Sequence, residues 1–144
     1  MARKLKFEYR NIDKYKYQLM EDYHIDYDDC FTLLACQPFE NIDTEWIKFS
    51  IAGGLTVKKY YAWDGPSGPS VDTDTFMRGS LIHDALYQLM REGHLPNNDE
   101  LSYRIASDYV LHEICRKDGM YKFRAWYVLK TLKWFGGPAA RYKG

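Results

Sequence analysis

The spacing of apolar residues changes period once along this chain, and that change limits the architectures open to it. Up to Ala62 apolar residues recur at every second position: Leu5, Phe7 and Tyr9, then Tyr15, Tyr17 and Leu19, then Tyr23, Ile25 and Tyr27. Side chains two apart share one face of a strand, so these stretches predict half-buried strands. Trp46 to Ile51 and Leu55 to Ala62, joined by a turn at Ala52-Gly53-Gly54, predict a hairpin with β-branched and aromatic residues on both arms. From Thr75 onward the period is helical, and three helices are predicted: Thr75 to Arg91, Glu100 to Lys117 and Tyr121 to Phe135. Thr73-Asp74 suits a helix start, as does the linker Leu95-Pro96-Asn97-Asn98-Asp99, while Gly93, Asp118-Gly119 and Gly136-Gly137-Pro138 suit helix ends. The stretch Trp63-Asp64-Gly65-Pro66-Ser67-Gly68-Pro69-Ser70 separates the two regimes as a loop. The fold class is therefore α+β in a single domain spanning 1–144, which is long enough for one core. Residues 1–62 form its β-rich part, and 63–144 the glycine-rich loop and three helices.

Composition excludes several function classes. The formal net charge is zero across 144 residues, so there is no whole-molecule electrostatic case for nucleic acid. Arg116, Lys117, Lys122, Arg124, Lys130 and Lys133 do not share one helical face, so no phosphate-tracking stripe forms, and nucleic acid ranks last among the partners. The charge is uneven, with a basic N-terminus, an acidic middle and a basic stretch from Arg116 to Lys143. Solvated faces explain that pattern about as well as a docking surface. Cys30, Cys36 and Cys115 are an odd set without CxxC spacing, which points to reduced thiols rather than a disulfide scaffold. No apolar run is long enough to span a bilayer, and the charged N-terminus lacks a signal-peptide core. The expectation is a soluble protein made in a cytoplasm. A Ser hydrolase elbow, a P-loop and a Rossmann fingerprint are all missing.

Chemistry concentrates in the first two helices. Phe76, Ser80, His83, Tyr87 and Met90 share one stripe of the first helix, which turns the imidazole of His83 inward with core residues. A buried imidazole needs a hydrogen-bond partner, and Asp84, about 100° further round, is poorly placed to serve. On the second helix Leu101, Ile105, Asp108, His112 and Cys115 recur at helical spacing, so Asp108 lies among apolar neighbours. A short connection favours antiparallel packing of the two helices, which makes His83 and Asp108 natural partners. An Asp holding one imidazole nitrogen leaves the other able to take a proton from water, which is general-base chemistry. A buried structural pair, or Asp108 facing solvent, satisfies the same spacing. Asp84 with backbone carbonyls turned inward at Gly65 and Gly68 would make an oxygen-only set, suited to calcium rather than zinc. A tight turn beside a surface acid is the alternative.

The stretch His83-Asp84-Ala85-Leu86-Tyr87 resembles the His-Asp-x-x-Tyr helix of the phospholipase A2 superfamily. It is most similar to the short, disulfide-free form in the parvovirus minor capsid protein. That form orders a Tyr-x-Gly-x-Gly calcium loop, the His-Asp helix and an Ala-Asp-x-x-Phe helix. The corresponding stretches here are Trp63-Asp64-Gly65-Pro66-Ser67-Gly68, His83 to Tyr87, and Ser107-Asp108-Tyr109-Val110-Leu111. The loop is one residue longer, with Trp63 in place of Tyr and Ser107 in place of Ala. The resemblance implies His83 and Asp108 as catalytic residues, the base and its orienting acid. It implies Asp84, Gly65 and Gly68 as the calcium ligands, with calcium as cofactor stabilising the ester oxyanion, and Tyr87 as a supporting hydrogen-bonder. It covers about Trp63 to Phe135. The whole chain also resembles a family of small tailed-phage and prophage proteins with a His-Asp-x-Leu-Tyr helix, which implies a viral source and no particular activity.

Two functional expectations follow. The first is a phage-encoded, calcium-assisted phospholipid hydrolase used in entry or lysis, whose partner is a phospholipid or membrane surface. The second is a non-enzymatic virion component, such as a tail, connector or capsid-associated protein. Its partners would be other virion proteins or further copies of itself, and its docking face the tyrosine-rich strands. Outside the motif, Arg78 and Arg104 either meet an anionic headgroup or form salt bridges. His24, His94 and His112 are read as structural or solvent-facing. Trp126, Trp134 and Phe135 are read as core, an exposed subset of them making a membrane or partner surface.

Overall fold

The computed structural model describes residues 9–11, 17–63, 74–96 and 103–130. Two antiparallel sheets come first and helices follow, giving the α+β class that the change of period predicts. One sheet orders β1 (Tyr9–Asn11), β2 (Tyr17–Leu19) and β7 (Ala62–Trp63); the other orders β3 (Tyr23–Ile25), β6 (Gly54–Val57), β5 (Ile47–Ser50) and β4 (Ile42–Asp43). In the larger sheet Ile47 lies opposite Val57 and Phe49 opposite Leu55, all buried, while Lys48 between them is exposed. The two-residue period therefore sorts core from solvent as expected. Gly54 closes the hairpin with φ +87, and a Cβ there would stand 2.4 Å from the carbonyl oxygen of Ile25 on β3. Only glycine fits a backbone approach that close.

The second hairpin arm is shorter than the sequence suggests. It ends at Val57 rather than reaching Ala62, because Tyr60 takes a left-handed backbone (φ 75) that redirects the chain. Ala62–Trp63 then joins the other sheet, with Tyr17 opposite Trp63. The Lys58 ammonium secures the bend by donating to Asp43 at 2.7 Å and to the Thr44 carbonyl at 2.6 Å. Of the expected strand Leu5 to Tyr9, only Tyr9 lies among the described residues, where it belongs to β1.

A 3-10 helix over Phe31–Cys36 went unforeseen in the sequence. Cys30, Leu33 and Cys36 recur every third residue and are all buried, which is the eclipsed spacing of that helix. The acidic run before it is a turn held by its own side chains: Asp26 accepts from the Asp28 and Asp29 N–H groups, both at 3.0 Å.

Helices α1 (Asp74–Arg91) and α2 (Tyr103–Lys117) pack antiparallel, with Arg78 meeting Asp118 and His83 meeting Asp108. Both close on the glycines the sequence singled out. At Gly93 (φ 81) the His94 N–H bonds the Leu89 carbonyl, and at Gly119 (φ 100) the Met120 N–H bonds that of Cys115. These six-residue closures satisfy carbonyls the helix leaves open. A third helix, α3, is described from residue 122 to residue 130. No helix among the described residues is long and apolar enough to cross a membrane.

Candidate active site

α1 and α2 approach closely because Gly79 faces α2. A Cβ on Gly79 would lie 2.6 Å from Leu111 Cδ1 and 3.0 Å from Cys115 Sγ. A mid-helix glycine costs about 1 kcal/mol against alanine, so its presence inside an apolar run is a legible sign of tight packing. One turn further along, the narrow seam brings the polar residues together.

His83 Nε2 and Asp108 Oδ1 are 2.7 Å apart, and the Tyr87 hydroxyl donates to the same oxygen at 2.7 Å. The rings of His83 and Tyr87 stack, with centroids 4.1 Å apart. Asp108 is fully buried, and His83 keeps 6% of its surface exposed. With Nε2 at the carboxylate, Nδ1 has no hydrogen-bond partner among the described residues. Burial, and then the charge of Asp108, push the Tyr87 phenol far above its usual range, so it stays a hydroxyl and can only serve that carboxylate as donor. The second carboxylate oxygen, Oδ2, faces Arg104 Nη1 at 4.0 Å, and both atoms are buried without a hydrogen bond. Asp108 thus serves three groups: an imidazole, a phenol and, at longer range, a guanidinium.

The approach to the site is anchored from the sheet side. Trp63, the last residue of β7, donates its indole N–H to Ser80 Oγ at 3.1 Å, and Ser80 in turn donates to the Met77 carbonyl. The residue that opens the glycine-rich loop is therefore pinned to α1 one turn before His83. On the α2 side, Ser107 donates to the Tyr103 carbonyl at 2.7 Å and lies 3.8 Å from Cys36 Sγ. These anchors were not read in the sequence, although Ser80 and Ser107, buried polar residues on apolar faces, were the signal.

Asp84 sits half-buried on α1 beside His83, whereas Gly65 and Gly68 lie outside the described residues. Of the expected calcium set the structure describes one carboxylate, an oxygen donor of the kind calcium takes. No three His, Cys, Asp or Glu side chains converge on one point among the described residues. Arg104 borders the site, while Arg78 grips Asp118 through two bonds, at 3.0 and 2.7 Å, and donates to the Tyr23 hydroxyl. His24 Nδ1 pairs with Thr56 Oγ1 at 2.7 Å, a cross-strand contact. All three cysteines are free and buried. Burial pushes the thiols of Cys36 and Cys115 up to about 12, so neither supplies a thiolate near neutral pH. Trp126, read as core, is 54% exposed, because the inward stripe of α3 is Ala125, Val128 and Leu129; Trp134 and Phe135 lie outside the described residues. Of the tyrosines, Tyr23 on β3 and Tyr61 before β7 are buried, while Tyr9, still exposed, and Tyr17 pack edge-on against each other and around Trp63.

Compared with family models, with curated proteins and with solved structures, the chain matches none of them.

Proposed function

We propose that this protein is a phospholipase A2-type ester hydrolase in which His83 is the general base, with phage entry or lysis as its setting. The observation that carries the reading is the 2.7 Å contact between His83 Nε2 and Asp108 Oδ1, with Nδ1 left unpaired among the described residues. In the reaction, Nδ1 takes a proton from water and the resulting hydroxide attacks the ester carbonyl carbon. The oxyanion intermediate collapses as the C–O bond to the alcohol breaks, and the imidazolium returns its proton to the leaving oxygen. Asp108 holds the ring's orientation and balances the imidazolium charge in a buried site where that interaction is strong. Tyr87 fixes the carboxylate. In this reading Asp84 would be the carboxylate ligand of a calcium ion, with Gly65 and Gly68, outside the described residues, offering carbonyls, and the ion would supply positive charge to the oxyanion.

The test is hydrolysis of mixed phospholipid vesicles in calcium and in chelator. The intact chain should turn over with calcium, and His83→Gln should lose about 10²- to 10⁴-fold in rate while remaining folded by circular dichroism. Folded protein that releases no fatty acid in any condition sinks the proposal. A second reading, a virion component, is supported by Phe31 at the start of the 3-10 helix and Phe39 beyond its end, large apolar side chains standing in solvent. Mass spectrometry of purified particles tests it, since a virion protein must be found there.

A further inference from the structure

α3 carries a surface that the hydrolase reading does not use. Its inward stripe is buried, and Ala125 and Val128 pack with Phe76 of α1 and Leu111 and Cys115 of α2. Its opposite face presents Phe123, Trp126 and Tyr127, which are 87%, 54% and 56% exposed. At spacings of three and four these rings form one patch. Lys122 and Lys130 stand at its two ends, the Lys130 ammonium 5.5 Å above the Trp126 ring. Beside the patch, His112 and Arg116 of α2 join Lys122, Phe123 and Trp126 around an open groove of about 570 Å³. No acidic side chain among the described residues lines that groove. From Met120 to the last residue the sequence holds six Lys or Arg and no Asp or Glu.

We infer that this face docks the protein on an anionic lipid surface. Three features favour that occupant. Aromatic rings with flanking lysines match the boundary between headgroups and acyl chains, where the rings enter the apolar layer and the ammonium groups remain with the phosphates. The local charge is of one sign although the molecule is neutral overall, so the attraction is directed to this face. Phe123, at 87% exposure, also protrudes at the rim of that groove, which suits insertion into a soft layer. The inference goes beyond the hydrolase reading, since it uses none of His83, Asp108 or Tyr87.

The experiment is co-sedimentation of the full chain with vesicles of phosphatidylcholine, with and without phosphatidylglycerol. Anionic vesicles should bind about ten-fold tighter or more than zwitterionic ones, and added salt should weaken that binding. Phe123→Ser with Trp126→Ser, and separately Lys122→Glu with Lys130→Glu, should each weaken it at least about ten-fold with circular dichroism unchanged. Phe123→Ser alone, at the most exposed position, gives a milder loss and guards against misfolding of the pairs. His83→Gln should bind like the parent, so loss of hydrolysis and loss of docking read out separately. Absence of binding to anionic vesicles overturns the inference, as does binding indifferent to both pairs. Tighter binding to a single-stranded oligonucleotide, abolished by the same substitutions, overturns it in favour of nucleic acid.

Discussion

Replacing Asp108 with alanine tests whether the buried carboxylate organises the seam between α1 and α2. Oδ1 accepts two bonds of 2.7 Å, so the substitution leaves His83 Nε2 and the Tyr87 hydroxyl without an acceptor. Each buried polar group left unsatisfied costs about 1–3 kcal/mol. The Arg104 guanidinium also loses its only nearby carboxylate among the described residues, but its side chain is 23% exposed, so that loss is screened to about 1 kcal/mol. Against these stands relief from burying a carboxylate, which removes part of the total. The net expectation is a loss of about 3 kcal/mol, or roughly 10 °C in melting temperature for a chain of this size. Tyr87→Phe removes one donor and leaves the carboxylate paired with His83, so it should cost about half as much. Thermal and urea unfolding followed by circular dichroism measure both. An Asp108→Ala protein within about 1 kcal/mol of the parent, or less destabilised than Tyr87→Phe, refutes the arrangement.

Two further predictions concern the frame around the site. Glu113 on α2 accepts from the Phe31 and Thr32 N–H groups at the start of the 3-10 helix, both at 2.9 Å, and pairs with Lys117. Partial burial raises its carboxyl, but those backbone and lysine donors outweigh it and hold the group below its usual range. A depressed carboxyl stabilises the fold above its unfolded value and loses that contribution as pH falls through the folded one. Glu113→Gln should therefore cost about 1 kcal/mol near neutral pH, after allowance for solvent screening, and the gap to the parent should close below about pH 4. Urea unfolding across that pH range checks it; a gap that widens in acid contradicts the sign. Gly79→Val should cost about 3 kcal/mol, because the added carbons meet Leu111 and Cys115, and vesicle hydrolysis should fall with it as His83 and Asp108 separate. Unchanged stability and turnover would show that the helices do not need that close approach.

Much of the fold was legible because its signals are local. Ile47, Phe49, Leu55 and Val57 announce a hairpin by alternation alone, and Gly93 and Gly119 end helices as their free backbone allows. The His83–Asp108 pairing was legible too, since two inward-facing polar residues on neighbouring helices have few other ways to be satisfied. The errors arose where distant segments decide. Nothing near Phe31 says that its N–H will be capped by Glu113, and the bend at Tyr60 is set by contacts with Asp22, Asp43 and Thr44. The recurrence of large aromatics along the third helix suggests that Trp126 is core, yet α3 meets its neighbours with its small and aliphatic face and leaves Trp126 half in solvent.

The order of residues, then, determined where strands give way to helices, which glycines close them, and that His83 and Asp108 would turn inward, because periodicity and backbone freedom are properties of short stretches. Tertiary structure decided which imidazole nitrogen meets the carboxylate, that Tyr87 shares the same oxygen while Arg104 waits at the other, and which rings stand in water. Those outcomes depend on the distance and rotation between elements, and these emerge only when α1 and α2 close around Gly79.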